Sequence, residues 1–230
     1  MKRLSALVLA LVFVFSLTSC GPDIASMEPM EVLELSAQRM EKYDRFMMEM
    51  DIVIKMGKNE VKTESVLIFD VKNEAFSMTT TSEDEELSYV YIDGWLYKDT
   101  GDSQIKYERT LDEVKDMLEL DYEMVDVEDE DVFSDLELKE NDDGTFTVSG
   151  ILMDEEMLEE LLETKMDENA EMMMDYVVDK KGNLSKIVLS WEMKVSGIKI
   201  EMECTAKYTF KDVDKVTAPK DADDYLKMIY

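Results

Sequence analysis

Two cysteines, 20 methionines and 55 carboxylates are the side chains of this 230-residue sequence that could do chemistry, and there is no histidine among them. Without imidazole the chain lacks the commonest general base, the Ser-His-Asp and Cys-His nucleophile arrangements and the ligand set of most zinc sites. A carboxylate pair for glycosidic chemistry cannot be singled out, because at this acidic density pairs arise by chance. Thioethers suit Cu(I), and Met47-Met48-Glu-Met50 and Met172-Met173-Met174 cluster them. Yet Met48, Met50, Met172 and Met174 fall on alternating apolar faces, where flexible methionines fill a core or an adaptable cavity. The acidic run from Asp126 to Glu137 faintly imitates a calcium loop, but its sixth position is Asp131 where the turn needs glycine. A solvated loop is the expectation there, with no metal. Cys204 sits in an alternating apolar series and reads as a buried structural thiol. No catalytic residue is expected; the predicted protein is not an enzyme.

Cys20 is different. Lys2 and Arg3 precede an apolar run from Leu4 to Leu17, followed by Leu17-Thr18-Ser19-Cys20. A charged start, a greasy middle and a small-residue exit make residues 1–19 a signal peptide. The run is shorter than the roughly 20 residues that cross a bilayer as a helix. Leu17 to Cys20 resembles the lipobox of bacterial lipoproteins, whose cysteine thiol receives diacylglycerol and becomes the new N-terminus. The resemblance implies a covalent diacylglycerol on Cys20 as the membrane anchor, placing the protein on the extracytoplasmic face of the cell membrane. Acyl chains contribute about 0.8 kcal/mol per buried methylene, enough together to hold a soluble domain there. Residues 20–29, with Gly21, Pro22, Ser26 and Pro29, read as a lipidated tether, and 30–230 as a single domain.

The formal charge of −30 becomes −32 once Lys2 and Arg3 are removed with the signal. Such a surface repels phosphate, so nucleic acid is excluded as a partner and broad contact with anionic headgroups is disfavoured. With Cys20 acylated, Cys204 has no partner for an intramolecular disulfide, and packing must supply stability.

The elements follow from hydrophobic period. Met30, Leu33, Ala37 and Met40 after Pro29 predict a helix over 30–43. Phe46, Met48, Met50, Ile52, Ile54 and Met56 alternate as a half-buried strand that turns at Gly57-Lys58-Asn59. Further strands are predicted over 61–71, over 75–81 and through Leu87, Tyr89 and Tyr91, with Asp93-Gly94 as a hairpin turn. Thr110-Leu-Asp-Glu113 is a capping box that opens a short helix. Residues 121–135 read as an acidic loop; strands resume at Leu136 and Leu138 and, past Asp143-Gly144, at Phe146 and Val148. Met157, Leu158, Leu161 and Leu162 mark another helix. Three strands close the chain, and the last alternates without fault from Ile198 to Phe210, so one of its faces must be wet and the other covered. The fold class is α+β: an antiparallel curved sheet, a half-barrel, with a few helices packed on its concave face.

Four segments carry a resemblance to the LolA/LolB/LppX superfamily of bacterial lipoproteins: Met40-Glu-Lys-Tyr43 feeding the Phe46 strand, the Tyr91-Ile-Asp-Gly-Trp95-Leu-Tyr97 hairpin, the Asp179 to Gly182 turn, and the Pro219-Lys-Asp-Ala222 tail. The lysine- and glutamate-rich style suits a Gram-positive member. The resemblance implies a LolA-like half-barrel that carries lipid or acylated protein between sheet and helices. On that expectation Leu189, Trp191, Met193, Met202 and Tyr208 would line the ligand space. The alternative is an interaction or sensing module without a cavity, whose acidic face meets a basic envelope protein.

Overall fold

The computed structural model describes residues 22–83, 85–118, 133–153, 171–195 and 197–228. The signal segment, Cys20, most of the acidic run and the predicted helix at Met157 to Leu162 lie outside the described residues.

Helix α1 (Pro29–Met40) opens with Pro29 in its first turn, and the Glu28 amide donates to the Glu31 carboxylate at 2.9 Å. It ends at Met40, three residues short of the prediction, because residues 41–42 turn the chain into the first strand. The chain then meanders through β1 (Arg45–Met56), β2 (Asn59–Asp70), β3 (Ala75–Ser82), β4 (Glu85–Ile92), β5 (Trp95–Asp99) and β6 (Gln104–Glu108). Asp93 and Gly94, with φ of 51° and 77°, form the predicted turn between β4 and β5, since a two-residue hairpin of this twist needs positive φ at both positions. Helix α2 (Leu111–Leu118) begins at the predicted capping box: the Thr110 amide donates to Glu113 at 2.8 Å, and the Glu113 amide donates to Thr110 Oγ1 at 3.3 Å.

The second half is β7 (Ser134–Glu140), β8 (Phe146–Met153), β9 (Glu171–Val178), β10 (Leu184–Val195), β11 (Ile198–Thr209) and the short β12 (Leu226–Met228). All twelve form one curved, unclosed sheet ordered β12-β6-β5-β4-β3-β2-β1-β11-β10-β9-β8-β7. Each half is a meander, and the halves join at the centre, where β1 and β11 pair from Met47↔Thr209 to Met56↔Ile200. Pairing is antiparallel except between β6 and β12, where the tail returns to the far edge. Strands β6 and β12 have no counterpart in the sequence reading. Gln104-Ile-Lys-Tyr-Glu108 is short and polar, and β12 is created by its partner.

Strand registers put the alternating apolar residues on one side, the inner face, where both helices lie. Two cores result. One packs α1 through Val32, Leu33 and Met40 against Phe146, Val148, Met172, Met174, Tyr176 and Val178. The other packs Val114 of α2 against Leu67, Phe69, Phe76, Tyr89, Tyr91 and Leu96. Two boundaries differ from expectation. Ile24, within the stretch read as a tether, is 2% exposed and joins the first core, so the packed chain starts at the latest there. Phe133, within the stretch read as an acidic loop, is also buried in that core, and β7 follows it directly.

Candidate functional site

Where the two cores meet, the inner face is carried by β10 and β11 on the side of the first and β1 and β2 on the side of the second. Ridge-like pairs cross it: Leu189 opposite Cys204, Trp191 opposite Met202, Met193 opposite Ile200, and Tyr208 opposite Met48. The five residues singled out from sequence therefore share one face of two adjacent strands, Leu189, Trp191 and Met193 on β10 and Met202 and Tyr208 on β11. Strands lie about 4.8 Å apart, so these side chains form one patch. Met193 is buried, whereas Leu189, Trp191, Met202 and Tyr208 are half-buried. Cys204 is half-buried in the same patch; burial first, and then Asp51, push its thiol pKa up, away from the reactive thiolate. The clustered methionines divide by register: Met48, Met50, Met172 and Met174 face inward and Met173 outward.

Alternation alone did not reveal an aromatic series that links the two cores. Tyr43 stacks on Phe210 at 4.6 Å, Phe210 on Tyr208 at 6.3 Å, and Phe46 lies 6.4 Å from Tyr208 and 4.7 Å from Phe69. Phe76 and Tyr91 continue it at 6.4 Å and 5.9 Å. Tyr43 fell in the predicted first helix and the others in predicted strands, but the join between Phe46 and Tyr208 depends on the β1–β11 pairing between segments more than 140 residues apart.

Two polar features mark the patch. Trp191 Nε1 is buried without a hydrogen-bond partner among the described residues, leaving a donor aimed into apolar surroundings. In the first core, on the strand next to β10, the Tyr176 hydroxyl donates to Ser36 Oγ of α1 at 3.1 Å, and burial pushes its pKa to about 12. Tyr208, by contrast, is driven above the ordinary phenol value by burial, then by its neighbours Tyr176 and Cys204, so it stays protonated.

At the end of the patch nearest α1, the Asp179–Asn183 turn fixes the helix position. The Asp179 carboxylate accepts from the Lys181 amide at 2.7 Å, and from the Asn183 amide and side chain at 2.9 and 2.8 Å. Burial opposes ionisation of Asp179, but these hydrogen bonds outweigh it and hold the carboxyl below its ordinary value. Gly182 has φ of 78°, and a Cβ there would stand 2.7 Å from Leu35 Cδ2 of α1. The left-handed backbone favours glycine, and any side chain there would also require Leu35 to shift.

The outer face differs. A cleft of about 550 Å³ opens there, with Lys55, Glu171, Glu192, Glu201 and Glu203 making half of its ten lining residues; Val53, Met173 and Ser190 and two of the predicted site residues, Trp191 and Met202, complete it. Among the described residues no group of three or more cysteines or carboxylates is placed to hold a metal ion. No helix among them is long and apolar enough to cross a membrane.

No protein-family model matches the sequence, and no curated protein does. Solved structures similar in fold include the lipoprotein LppX of Mycobacterium tuberculosis, at 9% identity over 82% of this chain and 98% of LppX, with a TM-score of 0.41. LprF of Mycobacterium bovis is 10% identical over 87% of this chain and 99% of its own, at 0.39. A putative outer membrane lipoprotein-sorting protein domain from Vibrio parahaemolyticus is 11% identical over 81% and 93%, at 0.31.

Proposed function

We propose that this is a membrane-anchored extracytoplasmic lipoprotein that binds a lipid or similarly hydrophobic ligand between the inner face of the sheet and its helices. The observation that carries this reading is the apolar inner surface of β10, β11 and β1. It runs unbroken from one core to the other, yet Leu189, Trp191, Met202 and Tyr208 on it are only half-buried. Contiguous apolar surface of this kind is favourable to cover, at about 25 cal/mol per Å² removed from water. A ligand with acyl chains would cover it, and an ester or amide oxygen on that ligand would accept from Trp191 Nε1, which has no partner among the described residues. Methionines at Met48, Met50 and Met202 would let the surface adapt to chains of differing shape. The diacylglycerol on Cys20 keeps the site at a membrane from which such ligands come.

Native mass spectrometry of the detergent-free protein tests the binding reading: a mass increment released by organic extraction is expected. Protein uniformly at its polypeptide-plus-anchor mass, with an interior closed to apolar dyes, would leave the interaction-module alternative standing. Salt-sensitive capture by a basic envelope protein would then support that alternative. Anchoring is tested separately. Cys20→Ser is expected to release the protein to the soluble fraction and to abolish fatty-acid labelling; continued membrane association without label would refute the anchor.

A further inference from the structure

The four longest strands, β1, β2, β10 and β11, are 12 residues each, and their turns emerge side by side at one end of the sheet. The Gly57 amide donates to the Lys199 carbonyl at 3.2 Å, joining the two hairpin ends into one tip. Gly57 and Gly197 have φ of 61° and 81°, and a Cβ on either would meet nothing within 4 Å, so both turns stand in open solvent. On the inner side of this tip Met56, Val61 and Ile198 are 49%, 45% and 51% exposed, three of the most exposed large apolar side chains described. Their exposure is not needed to build either core, since neither includes them.

The charge of the tip is anomalous as well. Residues 53–62 and 192–201 contain Lys55, Lys58, Lys62, Lys194 and Lys199 against Glu60, Glu192 and Glu201, a formal sum of +2, in a chain whose total is −30. The other 210 residues therefore carry −32. Lys62 pairs with Glu60, and Lys199 with Glu192 and Glu201, while Lys58 and Lys194 have no ion pair among the described residues. At the very end Lys194 and Lys199 are register partners, whereas one row further in Lys55 stands between Glu60 and Glu201, in line with Glu192 and Glu171, so the cationic part of the tip is its outermost turn of Lys58, Lys194 and Lys199. All five lysines are exposed.

We propose that this paired tip docks onto an anionic lipid bilayer, with Met56, Val61 and Ile198 entering the headgroup boundary and the lysines meeting lipid phosphates. Exposed apolar side chains backed by lysine are the combination that gains from both layers of a membrane surface. Broad contact remains repelled by the rest of the molecule, which restricts contact to the tip. The tip also lies at the end of β10 opposite the Asp179–Asn183 turn, against which Ile24 packs. At about 3.3 Å per residue the two ends are some 36 Å apart. On the acylation of Cys20 proposed above, the anchor and the tip would hold β10 near its two ends, with contact confined to those ends.

The test uses the full acylated chain with Ile198→Trp, reconstituted in vesicles of phosphatidylcholine alone or of equimolar phosphatidylcholine and phosphatidylglycerol. Docking predicts a blue-shifted tip emission, quenched by brominated lipid, only in the anionic vesicles and lost at high salt. In the unmodified chain, hydrogen exchange of amides at 55–60 and 197–199 is expected to slow under the same conditions. Lys58→Gln with Lys194→Gln should lower the docked-to-free ratio at least tenfold, at about fivefold per lysine. Lys215→Gln with Lys220→Gln, an equal charge change at the other end of β11, should not. Identical signals in the two vesicle types, an equal effect of the control pair, or protection that rises with protein concentration without vesicles would each overturn the proposal, the last in favour of self-association. None of these readouts depends on whether the inner face holds a ligand.

Discussion

At Trp191 the indole ring packs with the first core while its N–H has no partner among the described residues, so bulk and donor can be separated by mutation. Trp191→Phe is expected to keep the fold and to weaken an ester- or amide-bearing lipid by about 1 kcal/mol, while binding of a plain hydrocarbon probe is unchanged. Equal losses for both ligands would show that the donor is idle. Asp179 offers a pH test. Its folded-state pKa is depressed, so its contribution to stability is fully present above the unfolded value, near 3.9, and is lost as pH falls through the folded value. Asp179→Asn should lower stability at neutral pH and flatten the acid limb of the stability curve, as followed by urea unfolding from neutral to acid pH. An unchanged acid limb would mean that the turn forms equally well without the charge.

Among the elements, α1 is held to the sheet by two specific contacts that the sequence alone did not pair. Tyr176→Phe removes the hydrogen bond to buried Ser36 and should cost about 1 kcal/mol of unfolding free energy. Gly182→Ala combines a left-handed backbone with a close approach to Leu35 and should cost at least about 1–2 kcal/mol. If α1 docks loosely, both variants will unfold like the parent in urea. Helix α2, by contrast, was legible in the sequence, because its capping box and apolar spacing are local: Thr110, Glu113 and Val114 lie within five residues. Strands β6 and β12 were not legible, since short polar segments become strands only beside a partner edge, and that partner is 117 or more residues away for the Gln104 and Asp221 side chains that help fix the tail.

For the whole molecule, the net charge of −30 is spread over one open sheet, and the ion pairs described are all between exposed groups. Such pairs contribute little each, so repulsion dominates the long-range electrostatics. Raising salt from low ionic strength to about 0.15 M should therefore increase Tm, measured by circular dichroism. A Tm that falls with added salt would indicate that local pairs outweigh the repulsion. The same increase in salt should detach the lysine-bearing tip from anionic vesicles, so the two salt responses have opposite signs and separate stability from docking.

The sequence by itself determined the alternation of β1, β9, β10 and β11, the hairpin at Asp93-Gly94, the Pro29 helix start, the Thr110–Glu113 capping box and the identity of a one-sided apolar surface, because each of these is encoded within a few neighbouring residues. It also placed Leu189, Trp191, Met193, Met202 and Tyr208 on inward positions. Only the tertiary structure decided that β1 and β11 pair at the centre of the sheet, and with that pairing which side chains adjoin. The join of the aromatic series across the inner face and the meeting of the two lysine-bearing turns at one tip follow from it, while the burial of Ile24 and Phe133 follows from the packing of α1 on β8, β9 and β10. The physical reason is that strand pairing joins residues far apart in the chain, and no local period specifies which edge a strand will meet.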